Sequence, residues 1–165
     1  MSAPQLRRWL SANQRDQIHA VRTAVAALTS LLIGRLFRLP ESYWASITTI
    51  VVMQSTLGAA WTVSQQRMAG TALGAIVGGF LATYAPGNAA AFGAGVLAAG
   101  VLCVIFGIER NAYRYAGITI AIVMLTARTE PAWRIALHRF IEISIGIAVG
   151  LAITAAWPER QSPSA

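Results

Sequence analysis

The sequence predicts an all-α integral membrane protein of six transmembrane helices, arranged as two inverted three-helix repeats. Three observations carry that prediction. The first is composition. Of 165 residues, 56% are hydrophobic and only 12% charged, with mean hydropathy +0.56, too little charge for a soluble surface. The second is the division of the chain into apolar runs of roughly 20 residues, the length that crosses a bilayer core. The third is self-similarity. Residues 43–86 lie on residues 115–158 without a gap, 72 positions on. Tyr43 meets Tyr115, Ala60-Trp61 meets Ala132-Trp133, Arg67 meets Arg139, Gly74 meets Gly146 and Pro86 meets Pro158. The same offset puts Arg38 on Arg110. Three spans per repeat is an odd number, so the second repeat sits upside down relative to the first. In transporters built this way the substrate path lies near the interface of the repeats.

Each element follows in order. Residues 1–17 form a polar arm with Arg7, Arg8 and Arg15. Leu6, Trp9 and Leu10 suit a short helix lying on the membrane surface. The arginine pair is not followed by an apolar run, so the arm does not read as an export signal. The first span is expected over 18–37 and stops at Leu39-Pro40, because proline cannot continue the hydrogen-bond ladder. The second runs over 43–60, opened by the interfacial pair Tyr43-Trp44. Arg67 opens the third, over 68–85. Pro86-Gly87-Asn88 is a turn signal that separates repeat 1, about 18–86, from repeat 2, about 89–158. The remaining spans are expected over 89–108, 113–127 and 135–157. Trp157-Pro158 ends the last, and a polar tail, 159–165, follows.

The net charge is +7 and the pI near 11.1, yet the basic residues sit singly at segment edges. That spacing excludes a nucleic-acid surface. Loop arginines orient the chain. Arg7, Arg8, Arg15, Arg22, Arg67, Arg110, Arg114 and Arg160 share one side, and Arg35, Arg38, Arg128, Arg134 and Arg139 the other. The bias puts both termini in the cytoplasm. The sole cysteine, Cys103, lies in an apolar run and has neither a disulfide partner nor a metal-ligand companion. No cluster of acids, HExxH or GxSxG pattern is present, so the chain is not read as an enzyme and no metal or cofactor is expected.

Candidate functional residues fall into three groups. Gly70, Gly74 and Gly78 recur every fourth residue, on one helix face where another backbone can approach closely. Gly146 and Gly150 repeat part of the pattern. These glycines serve helix packing, a smooth wall of a substrate path, or both. Arg22, Arg67 and Arg139 lie near span ends. They either reach for headgroups or gather an anion at each mouth through their donor forks. Gln54 sits at mid-span and needs a partner, since an unpaired amide in hydrocarbon is costly; another helix or a substrate carboxylate would serve. Glu142, three residues beyond Arg139, is the one acid deep in a span. It is either the partner of Arg139 or a carboxylate that carries a proton.

Several of these residues stand in a familiar order. Val21-Arg22-Thr23-Ala24 comes first, then Pro40-Glu41-Ser42-Tyr43-Trp44-Ala45 and Val51-Val52-Met53-Gln54-Ser55. Arg67 precedes Gly70-Thr71, Gly74 and Gly78, and Trp157-Pro158 closes the set. Over residues 18–158 the chain resembles the fusaric acid resistance family of bacterial membrane proteins, related to aromatic acid exporters. It also looks like the membrane half of the plant aluminium-activated malate transporters. The resemblance implies six spans in a paired-helix domain that moves organic anions, often aromatic carboxylates, out of the cell. It marks Arg22, Tyr43, Trp44, Gln54, Arg67, Gly70, Gly74 and Gly78 as characteristic positions. Relatives commonly carry proline after the glutamine of the second span, where this chain has Ser55, so a less kinked helix is expected. Many also carry a large cytoplasmic domain or a second membrane domain, which this sequence does not show.

The resulting expectation is an exporter of small organic anions in the bacterial cytoplasmic membrane, working as a homodimer in the lipid bilayer. The arginines gather the carboxylate, Gln54 and nearby hydroxyls replace part of its hydration, and Tyr43 and Trp44 meet an aromatic ring or anchor the interface. A passive anion channel and a non-transporting partner subunit of a larger assembly are the alternatives.

Overall fold

The computed structural model describes residues 14–109, 111–125 and 131–158. Among them are six helices and no strand: α1 (Gln14–Leu36), α2 (Tyr43–Val52), α3 (Leu57–Tyr84), α4 (Ala89–Ile105), α5 (Ala112–Leu125) and α6 (Ala132–Ala156). Most of the arm expected over 1–17 and the tail 159–165 lie outside the described residues.

Sequence and local structure agree at most helix ends. α1 closes on a left-handed residue, Arg38 at φ 53°. Arg38 N–H donates to Arg35 O (2.9 Å) and Leu39 N–H to Gly34 O (3.0 Å), the paired bonds of a Schellman cap. α4 closes the same way through Gly107 at φ 63°, with Gly107 N–H on Val104 O (3.2 Å) and Ile108 N–H on Cys103 O (2.8 Å). At the expected Pro86-Gly87-Asn88 turn, Gly87 takes φ 68°. The Asn88 side-chain Oδ1 then accepts from Ala90 N–H (2.9 Å) and Ala91 N–H (3.1 Å), an N-cap that starts α4.

The second expected span departs from the prediction. α2 stops at Val52, Met53 turns extended (ψ 112°), and α3 starts at Leu57 behind the N-cap Thr56, whose side chain accepts from Ala59 N–H. Residues 47–52 are all Ile, Thr or Val. Such β-branched side chains crowd the preceding turn and weaken a helix, and Gln54-Ser55-Thr56 supplies polar groups that favour a cap over continuation. Nothing between Leu57 and Arg67 breaks a helix, so α3 runs unbroken for 28 residues. Arg67 therefore lies well inside α3 and does not open it. Six separate full-length spans are not what the helices provide. Asp16–Leu36 and Ala132–Ala156 are long and apolar enough to cross a membrane by themselves, whereas α2, α4 and α5 have 10, 17 and 14 residues.

The helices assemble as two three-helix bundles. α1, α2 and α6 form one, α3, α4 and α5 the other, and α3 packs against α6 to join them. Polarity is inverted relative to a soluble fold. Arg22, Ser30, Thr48, Thr49, Arg67, Arg139 and Glu142 are buried, while Leu36 is 78%, Ile76 71% and Val104 81% exposed. Water would penalise that exterior. Hydrocarbon does not, so the distribution is that of a helical protein surrounded by lipid.

Candidate functional site

The glycines decide which helices can touch. Gly70, Gly74 and Gly78 of α3 meet Ala112, Ala116 and Ile120 of α5 in order, so these two helices run parallel. A Cβ on Gly74 would lie 2.5 Å from Ala116 O and 2.8 Å from Thr119 Cβ. Across the molecule, Gly146 of α6 meets Ala45 and Thr48 of α2, and Gly150 meets Val52. A Cβ on Gly146 would press on Ala45 O and lie 2.6 Å from Thr48 Cβ. The Thr49 hydroxyl adds bonds to Ala45 O (2.9 Å) and Gly146 O (3.0 Å). Backbones this close leave no room for any side chain between them.

This close approach brings two of the interior arginines, Arg67 and Arg139, onto an aromatic residue of the other half of the chain. The Arg67 guanidinium lies over the Tyr115 ring, 5.0 Å from its centroid, and that of Arg139 lies over Trp44 at 4.3 Å. The contacts pair Trp44 with Tyr115, where the ungapped register pairs Tyr43 with Tyr115. One more residue separates Tyr115 from Arg139 (24) than Trp44 from Arg67 (23). The register also slips at the first caps, where Arg38 matches Gly107 in place of Arg110.

The two arginines differ in their partners. Arg67 donates from Nε (3.2 Å) and Nη2 (3.1 Å) to the Thr48 hydroxyl. Thr48 and Tyr115 are both neutral, and among the described residues no carboxylate pairs with Arg67. Arg139 has two carboxylates. Its Nη2 pairs with Glu41 and its Nη1 with Glu142 (3.4 Å). The other Glu142 oxygen accepts Glu41 N–H (3.1 Å), beside the start of α2. A carboxylate there pairs a backbone donor just ahead of the helix and complements the helix dipole. Glu41 in turn accepts from the Tyr43 hydroxyl (3.1 Å). Sequence reasoning passed over Glu41 as a site residue. The signal available was an acid just after Pro40 and before a helix start; its distance of 98 positions from Arg139 hid the pairing.

The other predicted residues are dispersed. Arg22 is buried on α1. Gln54 lies in the break between α2 and α3, and its Nε2 donates to Val51 O (3.2 Å), so its chain neighbour supplies a partner. Tyr43 is half exposed. Gln66 is bonded to Glu109, a polar bridge between α3 and the α4–α5 connection. Two open grooves among the described residues, about 720 Å³ beside Leu97, Val101 and Tyr113 and about 600 Å³ beside Trp61 and Leu151, are apolar and not lined by arginine. Among the described residues no three His, Cys, Asp or Glu side chains gather to hold a metal.

Comparison with known proteins matches residues 26–153 to the fusaric acid resistance protein-like family model. The chain belongs to this family. It is 31% identical over 147 residues to the inner membrane protein YeeA of Escherichia coli (strain K12), covering 87% of this chain and 41% of YeeA. It is 28% identical over 152 residues to the uncharacterized transporter YdhK of the same strain, covering 86% of this chain and 22% of YdhK. An uncharacterized protein of Haemophilus influenzae is 26% identical over 145 residues, 86% of this chain and 20% of that protein. The chain thus spans less than half the length of these relatives. No solved structure matches it.

Proposed function

We propose that this family member is a transporter, not an enzyme, and that it moves small organic anions, aromatic carboxylates among them, outward across the bacterial cytoplasmic membrane. The family and the names of YeeA and YdhK support the membrane and transport parts of this reading. The observation that carries the anion part is Arg67, a buried cation whose partners are the neutral Thr48 and Tyr115. A buried charge without a counter-ion is costly. A carboxylate arriving beside it offsets that cost, and the guanidinium fork matches a carboxylate edge.

The twice-made contacts of glycine on backbone and arginine on aromatic support two inverted repeats, about 18–86 and 89–158, with both termini cytoplasmic. On this reading the moving units are the bundles, since each takes two helices from one repeat and one from the other. Rocking along the α3–α6 seam would present Arg67 to either side in turn. Both Glu142 oxygens are engaged within the chain, which favours a clamp over a proton carrier. Among the described residues no carboxylate pairs with Arg67, which keeps a passive anion channel as the second reading. A homodimer is the assembly proposed for either.

The test is flux. Protein reconstituted in liposomes is given a labelled aromatic carboxylate with and without a pH gradient, alongside Arg67→Ala. Flux in the wild type that falls at least about tenfold in the variant, a loss of one arginine–carboxylate contact of about 1.4 kcal/mol, is expected. Gradient-independent flux selects the channel. Folded protein without flux in any condition removes both readings and leaves that of a partner subunit.

A further inference from the structure

The Arg139 cluster holds one carboxylate more than its charge requires, and the two are held differently. Glu142 has a side chain only 1% exposed, with both oxygens engaged and one of them fixed to the backbone of Glu41. Glu41 has a side chain 36% exposed and sits outside any helix, in the connection after Pro40. Removing Glu41 leaves Arg139 and Glu142 as a neutral pair, so its departure strands no charge. Among the described residues two buried donors at the same place have no hydrogen-bond partner, Arg139 Nε and Trp44 Nε1, and the guanidinium lies on the Trp44 ring. Glu41 reaches Nη2 but leaves the neighbouring Nε unbonded.

We propose that the Nε–Nη2 edge of Arg139, with the Trp44 indole, is a second carboxylate-binding site that the chain's own Glu41 partly fills, and that a free carboxylate enters by displacing Glu41. A free carboxylate takes the whole edge side-on, making the bidentate pair that a tethered glutamate does not make here. The incoming charge equals the outgoing one, so the exchange is electrically balanced. A tethered group competes at an effective concentration on the order of millimolar, which holds the site for Glu41 until a carboxylate is abundant. The ligand class is a small monocarboxylate, and a ring on it can meet the half-exposed Tyr43. The inference deepens the anion-transport reading, in which Arg67 is the first site, and rests on it for the ligand class.

The test counts sites. Benzoate is titrated calorimetrically into the purified full chain in detergent, for wild type, Glu41→Gln, Glu41→Ala, Arg67→Ala and Trp44→Phe, with melting temperatures to certify folding. Both Glu41 variants should bind a second benzoate at least about tenfold more tightly than wild type, by loss of the tethered competitor. Trp44→Phe should weaken that second site and leave the first. The inference is overturned if a folded Glu41 variant binds benzoate with the wild-type stoichiometry and affinity. Arg67→Ala separates the two readings. If it removes no site while the Glu41 variants gain one, the Arg67 assignment fails and the Arg139 site stands.

Discussion

The guanidinium of Arg67 lies 5.0 Å from the centroid of the Tyr115 ring, although 48 positions separate the two residues in the chain. The contact exists because Gly70 lets the start of α5 close against α3, so packing and binding chemistry share one cause. Arg67 is consequently the residue at which stability and function are expected to oppose each other.

Arg67→Met should keep or raise stability while removing anion flux. Exchanging a buried charge for a packed apolar side chain is often neutral or stabilising, by about 1–4 kcal/mol. Arg67→Lys should retain only part of the flux, since the ammonium lacks the planar fork. Melting temperature and liposome flux, measured on the same preparations, check both statements. A Met variant that unfolds contradicts this account.

Glu142→Ala should destabilise the protein by about 1–3 kcal/mol, the cost of a buried donor left without its acceptor, while Glu41 still balances the Arg139 charge. It also removes the acceptor of Glu41 N–H. Glu142→Gln should be milder, because an amide oxygen still accepts that bond. Denaturation in mild detergent ranks them, and equal stability for both would count against the clamp.

Gly74→Ala and Gly146→Ala should each cost about 1–3 kcal/mol through overpacking, because a methyl there meets the Ala116 or Ala45 carbonyl. Gly93 and Gly100, on α4, have nothing within 4 Å of a built Cβ. Their alanine variants should be neutral or stabilising by up to about 1 kcal/mol, the difference in helix propensity. Thermal melts of the four variants provide the comparison.

Arg38→Gly should stabilise the fold by about 1 kcal/mol. Arg38 holds φ 53°, where a side chain crowds the following carbonyl and glycine does not. The equivalent cap on α4 already uses Gly107. The reverse change, Gly107→Arg, should cost a similar amount, and chemical denaturation of the pair measures both.

Much of the helix layout was legible in the sequence. The helix ends near Leu39-Pro40 and Trp157-Pro158 and the turn at Gly87 follow from backbone chemistry carried by one or two residues. The glycine spacing on α3 named the face that packs. The break after Val52 was not legible, because its cause is spread over a β-branched run whose apolar pattern reads equally well as a continued span.

By itself the sequence determined that the chain is helical and apolar, and that residues of the same type, arginines among them, recur 72 positions apart. Those properties are read along the chain without knowing which segments touch. Only the tertiary structure decided that α3 joins α4 and α5 while α6 joins α1 and α2. Only it decided that Arg139 receives Glu41 and Glu142 while Arg67 receives a hydroxyl and a ring. Partner choice of this kind depends on which backbones can approach, and that is a property of two helix surfaces together. Arg67 and Arg139 occupy matching positions in the sequence, and the difference between them lies in what the fold places beside each.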